Sequence, residues 1–295
     1  MPYKLQANFY SITFVELNVM VKVKMTAKKT LSLPVDAEII TPDGIDGLSL
    51  TEVESLKVWE GNRRRPLGEL FDVEFIDSDE DDALTLWMRG DLKSVRRIGS
   101  HMSFGTILVD GDVGMYLGEN MNGGMIQVNG NAGSWLGSDM NEGFIEVLGD
   151  AADFVGSPPR GLTRGMSGGS IHVKGSVGNE CGCWMDDGII IVDGEMGLFG
   201  GIHMRGGVIL TLGNAMGRIG ADMIDGKVVI MGNVPSILPS FTFEGVRKST
   251  RVGGDRVEGP FYLFSGDLAE DGKGRLYLAI RENNHLHFIK KYLED

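Results

Sequence analysis

The stretch "MNGGMIQVNGNAGSWLGSD", from Met121 to Asp139, is one unit of a sequence repeat. The preceding unit, "MSFGTILVDGDVGMYLGEN", begins at Met102 and has the same order of Met, Gly and alternating apolar residues. The repeat continues at Met140, Met166, Met185, Met204 and Met223. Counted from Met102, the successive intervals are 19, 19, 26, 19, 19 and 19 residues. A fixed period of about 20 residues is typical of a solenoid, in which each repeat stacks on its neighbour.

Each repeat predicts one short strand between glycine corners. β-branched residues follow the methionine at the fifth and seventh places, as Ile126 and Val128 do after Met121. Apolar residues at period two indicate a strand with one buried face, and the flanking glycines favour turns. The pattern therefore predicts an all-β fold, a right-handed parallel β-helix of about eight coils with a small N-terminal α+β cap. The methionines would form a packed ladder at one inner corner.

The composition excludes several classes of protein and partner. The 295 residues carry a net charge of -13, which disfavours nucleic acid as a partner. The chain has only two cysteines, which indicates a reducing compartment. The sequence shows no run of about 20 apolar residues and no pattern of a basic start followed by a small-residue cleavage site, so we expect neither a membrane span nor a signal peptide. We therefore expect a cytoplasmic protein with no membrane span.

The repeat also sets the expected domain boundaries. They are a cap region at 25–82, the parallel β-helix at 83–240, and a C-terminal segment at 241–295 that forms a hairpin and tail against the solenoid or a partner. The cap would close the first layer of open backbone groups. Within it, "LTEVESLKVWEG" predicts a short helix with Thr51 and Glu54 as its capping box.

Three groups of residues are candidates for contacts with a partner. The 26-residue interval contains seven extra residues near 157–164, and insertions into solenoids often lie on a binding face. The segment "VWEGNRRR" is rich in Trp and Arg. An apolar stripe follows outward-facing strand positions, and a partner subunit is its favoured cover, with the C-terminal hairpin as the alternative. The candidates are Trp59, Arg63, Arg64, Arg65, Pro158, Pro159, Arg160, Arg164, Ile191, Leu210, Leu212, Val229 and Met231.

No motif predicts catalysis or cofactor binding in this chain. The sequence has no nucleophile elbow, no His-Glu-x-x-His and no phosphate-binding loop. Cys181 and Cys183 would supply two ligands, whereas zinc and iron–sulfur sites need about four. We therefore expect no catalytic, cofactor-binding or metal-binding residue, and packed thiols at this pair.

The segment "VWEGNRRRPLGELFDV" together with the 19-residue repeat resembles the C subunit of formylmethanofuran dehydrogenase, from about residue 25 to at least residue 237. Residues 1–24 lie outside the resemblance, which implies an N-terminal extension at 1–24. That family includes the matching subunit of the bacterial formyltransferase/hydrolase complex. The resemblance implies a β-helical, non-catalytic docking subunit of a complex that reduces carbon dioxide to formate and condenses it with methanofuran in methanogenesis.

The resemblance also implies the partners. They are a formate-forming subunit with a tungsten- or molybdenum-pterin, iron–sulfur proteins, and an amidohydrolase subunit with a dinuclear metal centre. The formyltransferase/hydrolase complex is the nearest alternative, and the repeats alone also resemble the C-terminal domain of the glutamate synthase large chain. A β-helical carbohydrate-active enzyme is a remote alternative, because the outward residues six places after each methionine include no pair of carboxylates.

Overall fold

Strands dominate the part of the chain that the structure, a computed structural model, describes: residues 23–28, 30–76 and 84–293, with side chains to 289. The strands are β1 (Val23–Ala27), β2 (Val35–Asp36), β3 (Lys57–Glu60), β4 (Arg63–Pro66), β5 (Phe71–Phe75), β6 (Thr85–Arg89), β7 (Val95–Arg96), β8 (Thr106–Asp110), β9 (Asn122–Val128), β10 (Glu142–Val147), β11 (Ser167–Val173), β12 (Asp187–Val192), β13 (Met196–Leu198), β14 (Val208–Thr211), β15 (Ala215–Gly217), β16 (Lys227–Ile230), β17 (Thr242–Val252), β18 (Asp255–Gly266) and β19 (Gly274–Ala279). The all-β prediction is confirmed. The expected extension, 1–24, lies outside the described residues except for its last two.

The helices are short and lie outside the repeats. They are α1 (Pro42–Ile45), α2 (Leu50–Ser55) and α3 (Leu67–Leu70), with 3-10 segments at Leu268–Glu270 and Asn284–Leu293. None of the helices in the described ranges has the length and apolar character needed to cross a membrane.

Strands of successive repeats pair in parallel, with a register equal to the sequence period. Ile107 pairs with Ile126, and Ile126 with Ile145, so that each isoleucine meets its equivalent in the next repeat. Ile145 then pairs with Ile171, its equivalent across the one longer interval. The seven extra residues of that interval are therefore accommodated outside the strand ladder. A second line of parallel bridges joins Leu92, Val113, Ala132, Ala151, Val177 and Met196.

The methionine ladder is buried as predicted. The seven methionines that begin the repeats are 0% exposed. Each of the first six fills space beside a glycine of the next repeat: a Cβ on Gly124 would stand 2.5 Å from the Met102 Cε, and Gly124 has a φ of +76°. The long, flexible thioether and the missing Cβ thus fit one another at the same corner of successive repeats.

The sheet that carries the repeats is mixed. Strand order is β17-β18-β19-β16-β14-β12-β11-β10-β9-β8-β6-β1-β5 among the described residues. The pairs from β6 to β16 along this order are parallel, whereas β17–β18, β18–β19 and β1–β5 are antiparallel. After the hairpin, β19 returns to pair with β16, with Val228 opposite Leu276. The C-terminal segment therefore extends the repeat ladder by one further strand.

The apolar stripe is covered by this chain's own hairpin. Val252 and Val257, beside the β17–β18 turn, belong to one buried cluster with Ile191, Leu210 and Val229. Leu210 and Val229 are 0% exposed, Met231 is buried and Leu212 is half-buried. The favoured expectation, a partner subunit over these five residues, is corrected in favour of the hairpin. An intramolecular cover buries the same apolar area without the entropy cost of association.

The cap region contacts the segment just before the first repeat, residues 84–101, through a small sheet. Its strand order is β4-β3-β2-β7, and Val35 of β2 pairs in parallel with Val95 of β7. The capping box of α2 is formed by Ser49 and Glu52: Ser49 Oγ accepts from the Glu52 amide, and Glu52 Oε2 accepts from the Ser49 amide at 2.8 Å. The predicted pair, Thr51 and Glu54, lies two residues too late, because α2 begins at Leu50.

Candidate partner interface

The insertion at 157–164 has a fixed base. Trp135 Nε1 donates to the Pro158 carbonyl at 3.2 Å. Ser157 Oγ donates to the Glu180 carbonyl at 2.6 Å and accepts from the Cys183 amide at 3.2 Å. These bonds tie the loop to repeats on either side of it, so the loop is presented in a defined conformation. Pre-ordering of this kind lowers the entropy cost of binding a partner.

The tip of the loop is exposed and combines positive charge with apolar surface. Arg160 and Arg164 are exposed, and Leu162 is 55% exposed. Arg164 Nε lies 3.2 Å from an Asp186 carboxylate oxygen, whereas Arg160 lies over the Phe154 ring. Exposed arginine beside an apolar side chain is typical of protein interfaces.

Two of the predicted loop contacts are less available. Pro158 is buried, so its expected role as a partner contact is corrected: its carbonyl instead anchors the loop to Trp135. Pro159 is half-buried. Because the loop turns back onto the corner of the repeats, the prolines shape its base while its tip points outward.

The loop rests on a stack of aromatic rings that sequence reasoning missed. Tyr116, Trp135 and Phe154 stack with ring centroids 5.1 and 4.6 Å apart. All three have a left-handed backbone, with φ between 61° and 68°. They share the fourteenth place after the methionine of their repeat, and Phe199 occupies the same place. That periodic aromatic position is the signal that would have revealed the stack.

A pocket of about 410 Å³ opens beside the loop. Asp139, Thr163 and Arg164 contribute to its lining, with Asn120 one repeat before Asp139. Burial raises the pKa of Asp139 to about 6, the negative charge of Glu119 adds to the rise, and Arg164 opposes it. The pocket therefore holds a carboxyl group that changes charge near neutral pH. No motif in the sequence pointed to it.

The second predicted surface is the hairpin of β3 and β4. Trp59 is 45% exposed and pairs in register with Arg64, whose guanidinium lies 5.0 Å from the indole centroid. Arg63 is also exposed. Arg65 differs, because it forms ion pairs with Glu60 at 3.3 Å and Glu69 at 3.0 Å. The structure thus brings Trp59 and Arg64 together and leaves them accessible, while Arg65 holds the hairpin to its own domain.

The described residues do not fit a metal or cluster site. They contain no group of three or more His, Cys, Asp or Glu side chains placed to hold a metal ion. Burial raises the pKa of both Cys181 and Cys183 to about 12. Metal ligation needs the thiolate, and these thiols stay protonated at neutral pH. That this chain carries no cofactor stays a prediction.

Curated relatives of the tungsten-containing type match nearly the whole chain. The C subunit of the tungsten-containing formylmethanofuran dehydrogenase 2 of Methanococcus maripaludis is 51% identical over 269 residues, covering 89% of this chain and 98% of the relative. The protein of the same description from Methanothermobacter thermautotrophicus is 48% identical over 268 residues, covering 90% and 99%. The C subunit of the molybdenum-containing formylmethanofuran dehydrogenase 1 of Methanothermobacter marburgensis is 41% identical over 93 residues, which are 32% of this chain and 22% of that protein.

A solved structure supports the same relationship. A chain in the crystal structure of the formyltransferase/hydrolase complex (FhcABCD) from Methylorubrum extorquens, in complex with methylofuran, superposes with a TM-score of 0.76 at 30% identity, covering 87% of this chain and 99% of that one. No protein-family model matches the sequence. Since relatives about half identical extend over almost the full length, the chain belongs to the C-subunit family of formylmethanofuran dehydrogenase.

Proposed function

We propose that this protein is the docking subunit of a formylmethanofuran dehydrogenase complex, and that it carries no catalytic residue itself. The observation that supports the proposal most is the full-length similarity to the C subunit of the tungsten-containing enzyme. The ordered insertion with its exposed tip gives that role a physical basis, because a rigid, charged loop is suited to contact another subunit.

The chemistry would belong to the other subunits of the complex. There, carbon dioxide is reduced to formate at a tungsten- or molybdenum-pterin supplied with electrons by iron–sulfur clusters, and formate is condensed with methanofuran at a dinuclear metal centre. The full-length relatives are tungsten-containing by name, which favours the tungsten form. The protonated thiols of Cys181 and Cys183 agree with a chain that binds none of these metals.

The proposed scaffold is a right-handed parallel β-helix with an α+β cap. The 19-residue register and the second line of parallel bridges support closed coils. The proposed domains are the extension at 1–24, the cap at 25–82, the β-helix at 83–240 and the C-terminal segment at 241–295. We also propose that the protein works in the cytoplasm, where its two free, buried thiols would stay reduced.

A co-purification experiment with the native complex tests the proposal. The variants Leu162→Asp and Arg160→Glu alter exposed side chains, so both chains should fold as the parent does. Each should recover at least about tenfold less of the other subunits, since interface arginines and apolar anchors dominate binding. Arg281→Glu, at a residue that is 75% exposed, is the control. Undiminished recovery with both loop variants would refute the docking role of the loop.

The hairpin of β3 and β4 has its own test. Arg64→Glu removes the contact of the guanidinium with Trp59 and reverses the surface charge. If this hairpin contacts a partner, assembly weakens while thermal stability changes little. If it only faces solvent, neither quantity changes. Arg63→Glu should weaken assembly as well, because Arg63 is also exposed.

The C subunit of a formyltransferase/hydrolase complex is the second candidate, and the structural similarity to the Methylorubrum complex supports it. Tungsten or molybdenum together with iron–sulfur subunits in the purified complex would favour the dehydrogenase, and their absence the transferase. A carbohydrate-active enzyme is disfavoured. Glu146, the one carboxylate among the residues six places after the methionines, is 2% exposed and lies 3.6 Å from Lys174.

A further inference from the structure

A cluster of positive side chains surrounds a pocket in the C-terminal segment, although the chain as a whole is strongly acidic. Arg247 of β17, Lys273 before β19 and Arg275 of β19 line this pocket, whose volume is about 460 Å³. Cavities of roughly 300–1,000 Å³ are the size that binds small molecules. The pocket is therefore locally positive, although the chain as a whole has a net charge of -13.

The three cations lack partners of opposite charge. Arg247, Lys273 and Arg275 form no ion pair with any residue in the described ranges, and Arg247 Nη1 donates only to the Val246 carbonyl at 3.1 Å. Glu244 also lines the pocket, but its Oε1 already accepts from Ser265 Oγ at 2.6 Å. The lining therefore keeps an excess of two positive charges.

Strand register adds a repulsive contact at the same place. Arg275 of β19 lies directly opposite Lys227 of β16, and like charges opposite one another destabilise a sheet. Lys227 Nζ bonds the Arg251 carbonyl at 2.8 Å and lies 5.9 Å from the Tyr277 ring centroid, which keeps this cation close to the pocket. A bound anion would relieve this repulsion, so the fold itself favours occupancy by negative charge.

From these contacts we propose that the pocket binds a small molecule carrying at least two negative charges, as carboxylates or phosphates. The guanidinium groups of Arg247 and Arg275 offer the planar, paired donors that such groups prefer, and Lys273 adds a mobile point charge. Tyr277 and Leu263 give the site an apolar side. This binding site is independent of the docking role.

Titration calorimetry on the purified full-length chain tests the site, with citrate and inorganic pyrophosphate as probes. At least one of the two should bind saturably at one site per chain, and the better probe identifies the preferred group. Lys273→Gln and Arg275→Gln should each weaken binding by about tenfold or more, because a charge-assisted hydrogen bond is lost. Lys248→Gln, an exposed cation of the same hairpin outside the lining, should leave affinity within about twofold.

Three outcomes would overturn the proposal. The first is that neither probe binds saturably at physiological ionic strength. The second is that Lys248→Gln weakens binding as much as Lys273→Gln, which would indicate diffuse attraction only. The third is that the assembled complex fails to bind the probe that the free chain binds, which would show that a partner subunit occupies the pocket. Circular dichroism of each variant verifies that the fold is retained.

Discussion

The Cε of Met121 occupies the space that a side chain on Gly143 would need. A Cβ on Gly143 would stand 2.7 Å from that methyl carbon, and the glycine has a φ of +94°. The same relation recurs between the methionine of one repeat and the glycine of the next. Each repeat thus specifies the identity of a residue in the repeat above it, which is why the two residue types share one period.

Replacing Gly143 by alanine should lower the free energy of unfolding by about 3 kcal/mol. About 1–2 kcal/mol comes from a side chain in the left-handed region, and the close contacts of the new Cβ with the Met121 methyl and with the Gly124 carbonyl oxygen, at 2.9 Å, add the rest. Gly254→Ala isolates the backbone part, because Gly254 has the same φ of +94° and nothing within 4 Å of its added Cβ. Urea denaturation measures the free energy of unfolding of both variants. Equal losses for the two variants would show that the close contacts at Gly143 contribute nothing.

Leu210→Asp should cost at least about 3 kcal/mol, because it places an unpaired carboxylate under the C-terminal hairpin. Leu210 is 0% exposed. The turn residues near Val252 should then exchange their amide hydrogens faster as the hairpin lifts. Val246→Asp, at a residue of the same hairpin that is 41% exposed, should change stability by less than about 0.5 kcal/mol. An unaffected Leu210→Asp protein would mean that the hairpin does not cover the stripe.

Asp139→Asn should stabilise the protein at neutral pH and not in acid. The folded-state pKa of Asp139, about 6, lies above the roughly 3.9 of an unfolded chain, so the folded protein binds more protons between these values. Stability from this group is therefore lost as pH rises through that window. After discounting for its partial exposure, we expect a gain of about 1 kcal/mol near pH 8 that vanishes near pH 4.

Asparagine also tolerates the left-handed backbone of Asp139, whose φ is 52°. Asp271→Asn is the matched control, because Asp271 has a φ of 51° and is exposed. Thermal melts across this pH range measure both variants. A gain that is the same in acid and at neutral pH would contradict the titration of Asp139.

Ser49→Ala should destabilise the protein by about 1 kcal/mol, since it removes the N-cap of α2. Thr51→Ala should change stability by only a few tenths of a kcal/mol, because Thr51 is an exposed residue inside the helix. Chemical denaturation compares the two. A larger loss of stability for Thr51→Ala than for Ser49→Ala would show that Thr51 is the N-cap of α2.

Local, periodic features were predictable from the sequence, and long-range contacts were not. The burial of Met102 follows from a spacing that recurs along the chain. The N-cap of α2 was ambiguous in the sequence, because Ser49 with Glu52 and Thr51 with Glu54 both fit the four-residue pattern of a capping box. The cover over Leu210 had no periodic signal at all. The hairpin residues that form it come after the last repeat, and only the apolar character of the stripe showed that it needed a cover.

The C-terminal hairpin also gives the stack a finite length. A sheet of identical parallel strands ends in an edge strand with free amide and carbonyl groups. Another copy of the protein could pair with that edge and extend the sheet head to tail. At one end of the described sheet this row is replaced by the antiparallel strand β17, whose outer residues include the charged Arg247, Lys248 and Arg251. Charges along an edge oppose further pairing. The hairpin thus prevents a second copy of the protein from adding strands at this end of the sheet. A protein shortened before Thr242 should therefore polymerise into fibres.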